Sequence, residues 1–150
     1  MKKILLAVFI IAGSFIAEAQ EIKWMTMDEA LAAQKKDPKP IFLDVYTDWC
    51  GPCKTMDQRT FRDKGVSEFI SGVYYAVKFN AEGNSEVTYK GIKYSNPEFI
   101  KNHKGKNSTH DFTKFLKVQA YPTMYIFNAD GEIVTSIMGL RTAKDLIKEL

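Results

Sequence analysis

The sequence predicts an α/β fold built around a central sheet, and two observations carry this prediction. Residues 41–46, IFLDVY, form a short and nearly continuous apolar run, which is typical of a strand buried on both faces. Helical segments and a second apolar strand follow this run, and a strand-helix-strand order implies a right-handed parallel crossover. We therefore expect strand 41–46 to lie inside the sheet.

Residues 1–19 have the layout of a cleaved secretory signal peptide. Two lysines precede an apolar run from 4 to 16, and the tripeptide AEA at 17–19 has the small-x-small pattern of a cleavage site. The run is shorter than the about 20 apolar residues that span a membrane, although an uncleaved anchor is the alternative. We expect cleavage after Ala19 and one mature domain, 20–150, that is periplasmic or secreted and does not insert into the membrane.

The charge of the chain is close to balanced. The whole sequence has a formal net charge of +3, which falls to +2 once residues 1–19 are removed. This balance argues against nucleic acid and against an anionic membrane surface as partners. The one basic cluster, KNHKGK at 101–106, is expected to be a solvated loop.

The first helix of the mature chain is predicted over residues 27–36. Thr26 and Glu29 have the spacing of a capping box at its start. Asp37-Pro38 ends it, because the residue before a proline is driven away from helical geometry.

The segment after strand 41–46 predicts two helices and a strand. Residues 54–62 are expected to form a helix with Met56 and Phe61 on its apolar side. A second helix is expected around 66–70, and the next strand over 74–79.

A long polar connection, about 81–117, interrupts the pattern. A structureless stretch of this length is unusual in a compact domain, so we expect elements within it. Residues 96–98 predict a helix start, residues 109–117 another helix, and residues 87–94 a small hairpin. The buried face of helix 109–117 is expected to consist of Phe112, Phe115 and Leu116.

The last third of the chain predicts two strands and a helix. Residues 123–127 and 132–138 are separated by Asn-Ala-Asp-Gly, which indicates strands joined by a tight turn. Thr142 is expected to cap a final helix that reaches residue 150, with Asp145 favouring its N-terminus.

The only two cysteines lie in DWCGPCK, residues 48–54. Such a pair is a structural staple, half of a metal site or a working dithiol. A bridge across two residues closes a very short loop, and short loops make the least effective staples. At a helix start, unpaired N–H groups favour the thiolate form of Cys50, and Pro52 suits the first turn. Cys53, one turn in, is expected to be more buried and to act second.

A structural zinc site is the weaker interpretation. Zinc takes four ligands, and beside the cysteines the chain offers only His103 and His110. The six residues between these histidines do not give the spacing of a standard site. We interpret both histidines as surface loop residues and expect no metal.

Three segments of the chain resemble the thioredoxin family. LDVYTDWCGPCK, residues 43–54, is similar to the active-site segment of that family, and VQAYPT, residues 118–123, to its cis-proline loop. The turn NADGE and Gly139 form the third match, and the resemblance covers about 39–150 apart from the long connection. It implies a thioredoxin fold, with a central mixed sheet flanked by helices, and thiol-disulfide exchange as the activity.

The resemblance also implies roles at the dithiol. Cys50 would attack a substrate disulfide to form a mixed disulfide, and Cys53 would then attack Cys50 and release the reduced substrate. The redox-active disulfide Cys50–Cys53 would be the only redox group, with no further cofactor. Gly51 and Pro52 resemble the residues between the cysteines of reductants in the family rather than of its strong oxidants.

Five further residues match supporting positions of the family. Asp44 matches a buried carboxylate that assists proton transfer at the second cysteine, and an apolar strand should raise its pKa. Lys78 matches the lysine beside that carboxylate. Pro122 corresponds to the cis-proline, which would expose the backbone of Tyr121 to an extended substrate, and Trp49 should shield the dithiol. Purely structural roles are the alternative for Asp44, Lys78 and Trp49.

The chain also departs from the best-known family members. Tyr46 replaces a tryptophan, Tyr121 is bulkier than the usual residue, and the insertion at about 81–117, before the cis-proline loop, has no counterpart in minimal thioredoxins. In the amino-acid sequence around its cysteines the chain resembles exported thioredoxin-like proteins and the soluble C-terminal domain of the transmembrane disulfide reductase.

These features together predict an exported monomeric thiol-disulfide oxidoreductase that reduces protein or peptide disulfides. No nicotinamide or flavin motif is present, so a membrane-embedded electron-donor protein is implied as its partner. The alternatives are an oxidase or isomerase of disulfide folding, a thioredoxin-like binding or chaperone module, and a metal-delivery module.

Overall fold

The computed structural model describes residues 21–150, so the predicted signal peptide lies outside the described residues. The helices are α1 (Met27–Gln34), α2 (Gly51–Thr55), α3 (Lys64–Val73), α4 (Asp111–Leu116) and α5 (Ala143–Glu149), and a π-helical turn (Met56–Thr60) follows α2 directly. The strands are β1 (Ile41–Tyr46), β2 (Tyr75–Asn80), β3 (Val87–Tyr89), β4 (Ile92–Tyr94), β5 (Thr123–Phe127) and β6 (Ile133–Met138).

The main sheet has four strands within the described residues, in the order β2-β1-β5-β6. Strand β1 pairs in parallel with β2 and antiparallel with β5, and β5 pairs antiparallel with β6. The predicted parallel pairing and the mixed sheet implied by the resemblance are therefore both confirmed. Strands β3 and β4 form a separate two-stranded sheet inside the insertion.

Both faces of β1 are covered, because its alternate side chains enter two different apolar clusters. Leu43 and its neighbours at 41 and 45 pack in one cluster with residues of α1 and α4. Phe42 packs in the other cluster with residues of α3 and α5. Since side chains of a strand alternate between faces, Asp44 lies on the same face as Phe42. The helices thus cover both faces of the sheet, as predicted.

Most predicted elements are present with small changes of boundary. The capping box of α1 is confirmed, with the Glu29 N–H donated to Thr26 Oγ1 at 3.2 Å, but the helix ends at Gln34. The helix predicted over 54–62 begins earlier, at Gly51, and changes to π geometry after Thr55. The Phe61 N–H bonds the carbonyl of Met56, five residues back, and this bond defines the wider turn.

The insertion contributes to the core as well as to the surface. The predicted hairpin is confirmed, and its residues Val87 and Tyr89 are buried beside Phe112 of α4. The Tyr89 hydroxyl donates to the carbonyl of Gly131 at 2.8 Å, which ties the hairpin to the turn between β5 and β6. The insertion therefore covers the α1 and α4 face of the sheet.

Two predictions inside the insertion are wrong. No helix begins at 96–98, because the buried Asn96 amide donates to the carbonyls of Gly83 and Ser108 at 2.9 and 2.8 Å and closes a loop. Phe115 is 42% exposed, whereas Phe112 and Leu116 are buried as expected. Thr113 takes the inward position of α4 in place of Phe115. Its hydroxyl donates to the carbonyl of Ala81 at 3.1 Å.

His110 is also not a surface residue, and this prediction is wrong as well. The side chain is fully buried and lies edge-on to Phe79, with 5.0 Å between the ring centroids. Its Nδ1 accepts the N–H of Phe112 at 3.0 Å and caps α4, so Nε2 carries the proton that is donated to the carbonyl of Ser85 at 2.5 Å. Both ring nitrogens are satisfied only when the imidazole is neutral.

We expect His110 to make the stability of the fold depend on pH. Burial lowers the pKa of His110 below its usual 6.5. As pH falls, the imidazole is therefore protonated in the unfolded chain before it is protonated in the folded chain. Its contribution to the free energy of unfolding should be complete above about pH 6.5 and decrease below that pH. In His110→Asn the new side chain can cap α4 but cannot be protonated. Urea denaturation should show that the difference in the free energy of unfolding between wild type and variant, the stability gap, is smaller at about pH 5 than at about pH 7.5. An equal gap at both pH values would contradict this assignment.

Candidate functional site

The two cysteines form a disulfide bond at the N-terminus of α2. Cys50 is the N-cap residue, and its Sγ accepts the N–H of Cys53 at 3.2 Å. Pro52 lies in the first turn, where its missing N–H leaves no hydrogen bond broken. The positive end of the helix and this donated N–H both favour negative charge at the Cys50 sulfur once the bond is reduced.

The two cysteines are buried to almost the same extent. Cys50 is 3% exposed and Cys53 is 2% exposed, so the expected difference in burial is very small in the oxidised chain. Gly51 and Pro52 between them are exposed.

Asp44 lies within the core, on β1, and only 1% of its surface is exposed. Its Oδ2 is 3.2 Å from Lys78 Nζ, and Oδ1 has no hydrogen-bond partner among the described residues. Burial raises the pKa of Asp44 to about 6, although the charge and hydrogen bond of Lys78 oppose the rise. The carboxyl group can therefore gain or lose a proton close to neutral pH, as the sequence predicted.

Lys78 is held beside Asp44 by the pairing of β1 with β2, in which these two residues are direct neighbours. Its ammonium group also contacts the carboxylate of Asp57 and lies 4.8 Å from the centroid of the Tyr46 ring. The ring centroids of Trp24 and Phe61 also lie near Lys78 Nζ, at 5.3 and 5.6 Å. The expected neighbourhood of Asp44 and Lys78 is confirmed, and Tyr46 contributes to it.

Sequence reasoning missed Asp57. The residue lies in the π-helical turn, and its charge adds to the raised pKa of Asp44. A signal was available, because Asp57 follows Cys53 by four residues and so faces the same side of an α-helix. The turn is not α-helical here, however, so only the structure places this carboxylate against Lys78.

The loop before β5 carries the cis peptide bond Tyr121–Pro122 at the position that the sequence predicted. Thr123 pairs with Val45. This loop therefore lies at the end of β1 from which the chain continues into the dithiol segment, residues 48–54. The Pro122 carbonyl accepts the N–H of Gly139 at 2.7 Å. Among the described residues, neither the N–H nor the carbonyl of Tyr121 has a partner.

Trp49 precedes the dithiol and is 40% exposed, so packing in the core is not its role. Its indole meets the Tyr121 ring edge to face, with 5.8 Å between centroids. The basic segment 101–106 is exposed as expected, but Lys106 is directed back onto the Trp49 ring. The side chains next to the sulfurs are thus aromatic and partly open to solvent.

Residues 21–150 contain no group of three or more His, Cys, Asp or Glu side chains arranged to hold a metal ion. In the same residues, no helix has the length and apolar character that a membrane crossing requires.

Comparison with known proteins places these features in one family. The family model described as thioredoxin-like domain matches residues 27–150. The chain is 31% identical over 108 residues to the thiol:disulfide interchange protein DsbD of Klebsiella pneumoniae, a match that covers 71% of this chain and 14% of that protein. The chain therefore corresponds to only a small part of this relative's length.

Solved structures give the same fold. A thioredoxin from Thermus thermophilus superposes with a TM-score of 0.63 at 17% identity, covering 86% of this chain and 84% of that one. A putative disulphide-isomerase from Bacteroides thetaiotaomicron gives a TM-score of 0.60 at 26% identity, covering 89% and 93%. The predicted thioredoxin fold is confirmed.

We expect replacement of Asp44 to stabilise the oxidised protein at neutral and higher pH. The folded chain holds a proton on Asp44 that the unfolded chain releases between pH 3.8 and about 6, so stability is lost as pH rises through this window. A shift of about 2 units corresponds to about 3 kcal/mol. The free energy of unfolding of Asp44→Asn should therefore exceed that of the wild type by up to about 3 kcal/mol above about pH 7 and by little near pH 4.

Denaturant titration at both pH values measures this gain. Asp130→Asn makes the same chemical change on an exposed turn and serves as the matched control. A gain for Asp44→Asn that is the same at both pH values would show that the buried carboxylate is not the cause.

Proposed function

The chain belongs to the thioredoxin-like family, and we propose that it is a thiol-disulfide oxidoreductase that is exported and reduces protein or peptide disulfides. The observation that carries the proposal is the Cys50–Cys53 bridge at the start of α2, with the buried Asp44 on the strand that precedes it. Burial raises the pKa of Asp44 to about 6. Such a group can take the proton that the second cysteine must lose.

The proposed cycle begins with the reduced dithiol. The Cys50 thiolate attacks one sulfur of the substrate disulfide, the substrate bond breaks, and the departing sulfur takes up a proton. Cys53 then gives its proton to Asp44 and attacks Cys50 Sγ, which breaks the mixed disulfide, and the second substrate sulfur departs and takes up a proton. The substrate gains two electrons as two thiols, and the chain is left with the Cys50–Cys53 bond. Its reduction by a membrane-embedded electron-donor protein completes the cycle.

Binding of the substrate is proposed at the loop before β5. An extended peptide can pair with the free N–H and carbonyl of Tyr121, as a strand added to a sheet does. The touching rings of Trp49 and Tyr121 offer one apolar surface against which the substrate can pack. Pro122 itself has no N–H, so the pairing is confined to the residue before it.

Export is proposed from the pattern of residues 1–19, with cleavage near Ala19 and action in the periplasm or outside the cell. In that compartment disulfides persist, so a reductant has substrates there.

Trapping tests the exchange and its location together. We expect Cys53→Ser, made with residues 1–19 present, to accumulate mixed disulfides through Cys50, because the second attack is lost. These adducts should occur in the periplasmic or secreted fraction, on chains whose first residue is Gln20. The double variant Cys50→Ser/Cys53→Ser is the control and should form none. Absence of adducts from the single variant would reject the exchange mechanism, and adducts only on unprocessed chains would reject export.

The reduction potential tests the direction. Equilibration with a dithiothreitol buffer should give a value near the about −270 mV of reducing thioredoxins, because Gly-Pro between the cysteines is typical of them. A value near the about −120 mV of strong oxidants would support an oxidase instead.

A further inference from the structure

Trp49, next to Cys50, is held by the inserted segment. Its Nε1–H donates to Glu82 Oε2 at 2.9 Å. Lys106 Nζ lies 4.5 Å from the ring centroid, within the range of a cation–π contact. Both partners belong to the insertion, whereas Tyr121 on the other side belongs to the cis-proline loop. An exposed indole therefore has three fixed neighbours.

Glu82 is itself fixed from two directions. The same oxygen, Oε2, accepts the backbone N–H of Asn107 at 2.8 Å. The Glu82 N–H donates to Asn80 Oδ1 at 3.0 Å, and Asn80 Nδ2 donates to Asp48 Oδ2 at 3.1 Å. Glu82 thus joins three parts of the chain: its carboxylate bonds Trp49 and the N–H of Asn107, and its own N–H bonds Asn80 at the end of β2.

The loop that supplies Asn107 and Lys106 is stiffened by Asn107. Its side chain accepts the N–H of Ile100 at 3.1 Å and donates to the carbonyl of Ile100 at 2.8 Å. A cavity of about 210 Å³ lies between this loop, Asp48 and Glu82. The loop is joined to Trp49 by two polar contacts, that of Lys106 with the ring and that of Asn107 with Glu82.

We propose that Glu82 is a positioning residue, which fixes the Trp49 indole as one wall of the substrate site and lets the insertion set the selectivity for peptide disulfides. The inference rests on the proposed exchange at Cys50. A bound peptide chain lies across the surface that the touching rings of Trp49 and Tyr121 form, so its contacts depend on the indole orientation. A small disulfide that reaches only the sulfurs does not depend on it in this way.

The charge of Glu82 is not needed for this role, but its oxygen is. In Glu82→Gln the amide oxygen still accepts the N–H groups of Trp49 and Asn107, whereas Glu82→Ala removes the acceptor. Loss of one such bond is expected to change binding about tenfold. Glu86 offers a matched control in the same insertion, because it is exposed and pairs with Lys93 at 2.7 Å.

The experiment compares kcat/KM for a peptide disulfide with kcat/KM for a small aromatic disulfide reagent. In Glu82→Ala the ratio of the two should fall about tenfold, mainly through KM for the peptide, while Glu82→Gln and Glu86→Ala keep the wild-type ratio. The reduction potential should not move in any of the three. An unchanged ratio in Glu82→Ala, or a changed potential, would overturn the proposal.

The Trp49 indole N–H resonance provides a readout that does not require activity. In ¹⁵N spectra of the oxidised protein, Glu82→Ala should shift this resonance and speed its hydrogen exchange, whereas Glu82→Gln should leave it protected. If the wild-type resonance is not protected from exchange, the positioning role of Glu82 is rejected, whereas the proposed exchange at Cys50 is not. If the resonance behaves as expected but Cys50 forms no mixed disulfide with either substrate, the proposed exchange fails and the positioning contact stands.

Discussion

The burial of β1 on both faces is the constraint on which the rest of the structure depends. Because β1 lies between β2 and β5, it must present apolar side chains to both sides of the sheet. Asp44 is the exception, and its cost is reduced by the parallel neighbour Lys78. The end of the same strand leads through residues 47–49 to Cys50 at the start of α2, so the strand that carries the buried carboxylate also directs the chain to the dithiol.

The charges around Asp44 keep its carboxyl group near a balance between its two forms. Burial alone favours the protonated form, and Lys78 opposes this. Asp57 shares the same ammonium group and adds negative charge, which weakens the opposition. A carboxyl group in this position exchanges a proton at modest cost near neutral pH. The π-helical turn after the dithiol helix is what brings Asp57 into contact.

The insertion has two distinct parts. The hairpin and α4 cover one face of the sheet with Tyr89 and Phe112, and His110 caps α4 from inside the core. The loop that contains Lys106 and Asn107 instead reaches the dithiol segment, through hydrogen bonds and an indole contact. The first part packs in the core, and the second part contacts the residue before Cys50.

Local features could be predicted from the order of the residues: the capping box at Thr26, the buried strand that contains Asp44, and the Cys50–Cys53 pair at a helix start. Spacing and periodicity encode such features within a few residues. The burial of His110, the contact of Asp57 with Lys78 and the hydrogen bond of Trp49 to Glu82 could be found only in the folded chain. Each of these contacts joins segments more than twenty residues apart, and no local pattern records which distant side chain completes a hydrogen bond or ion pair.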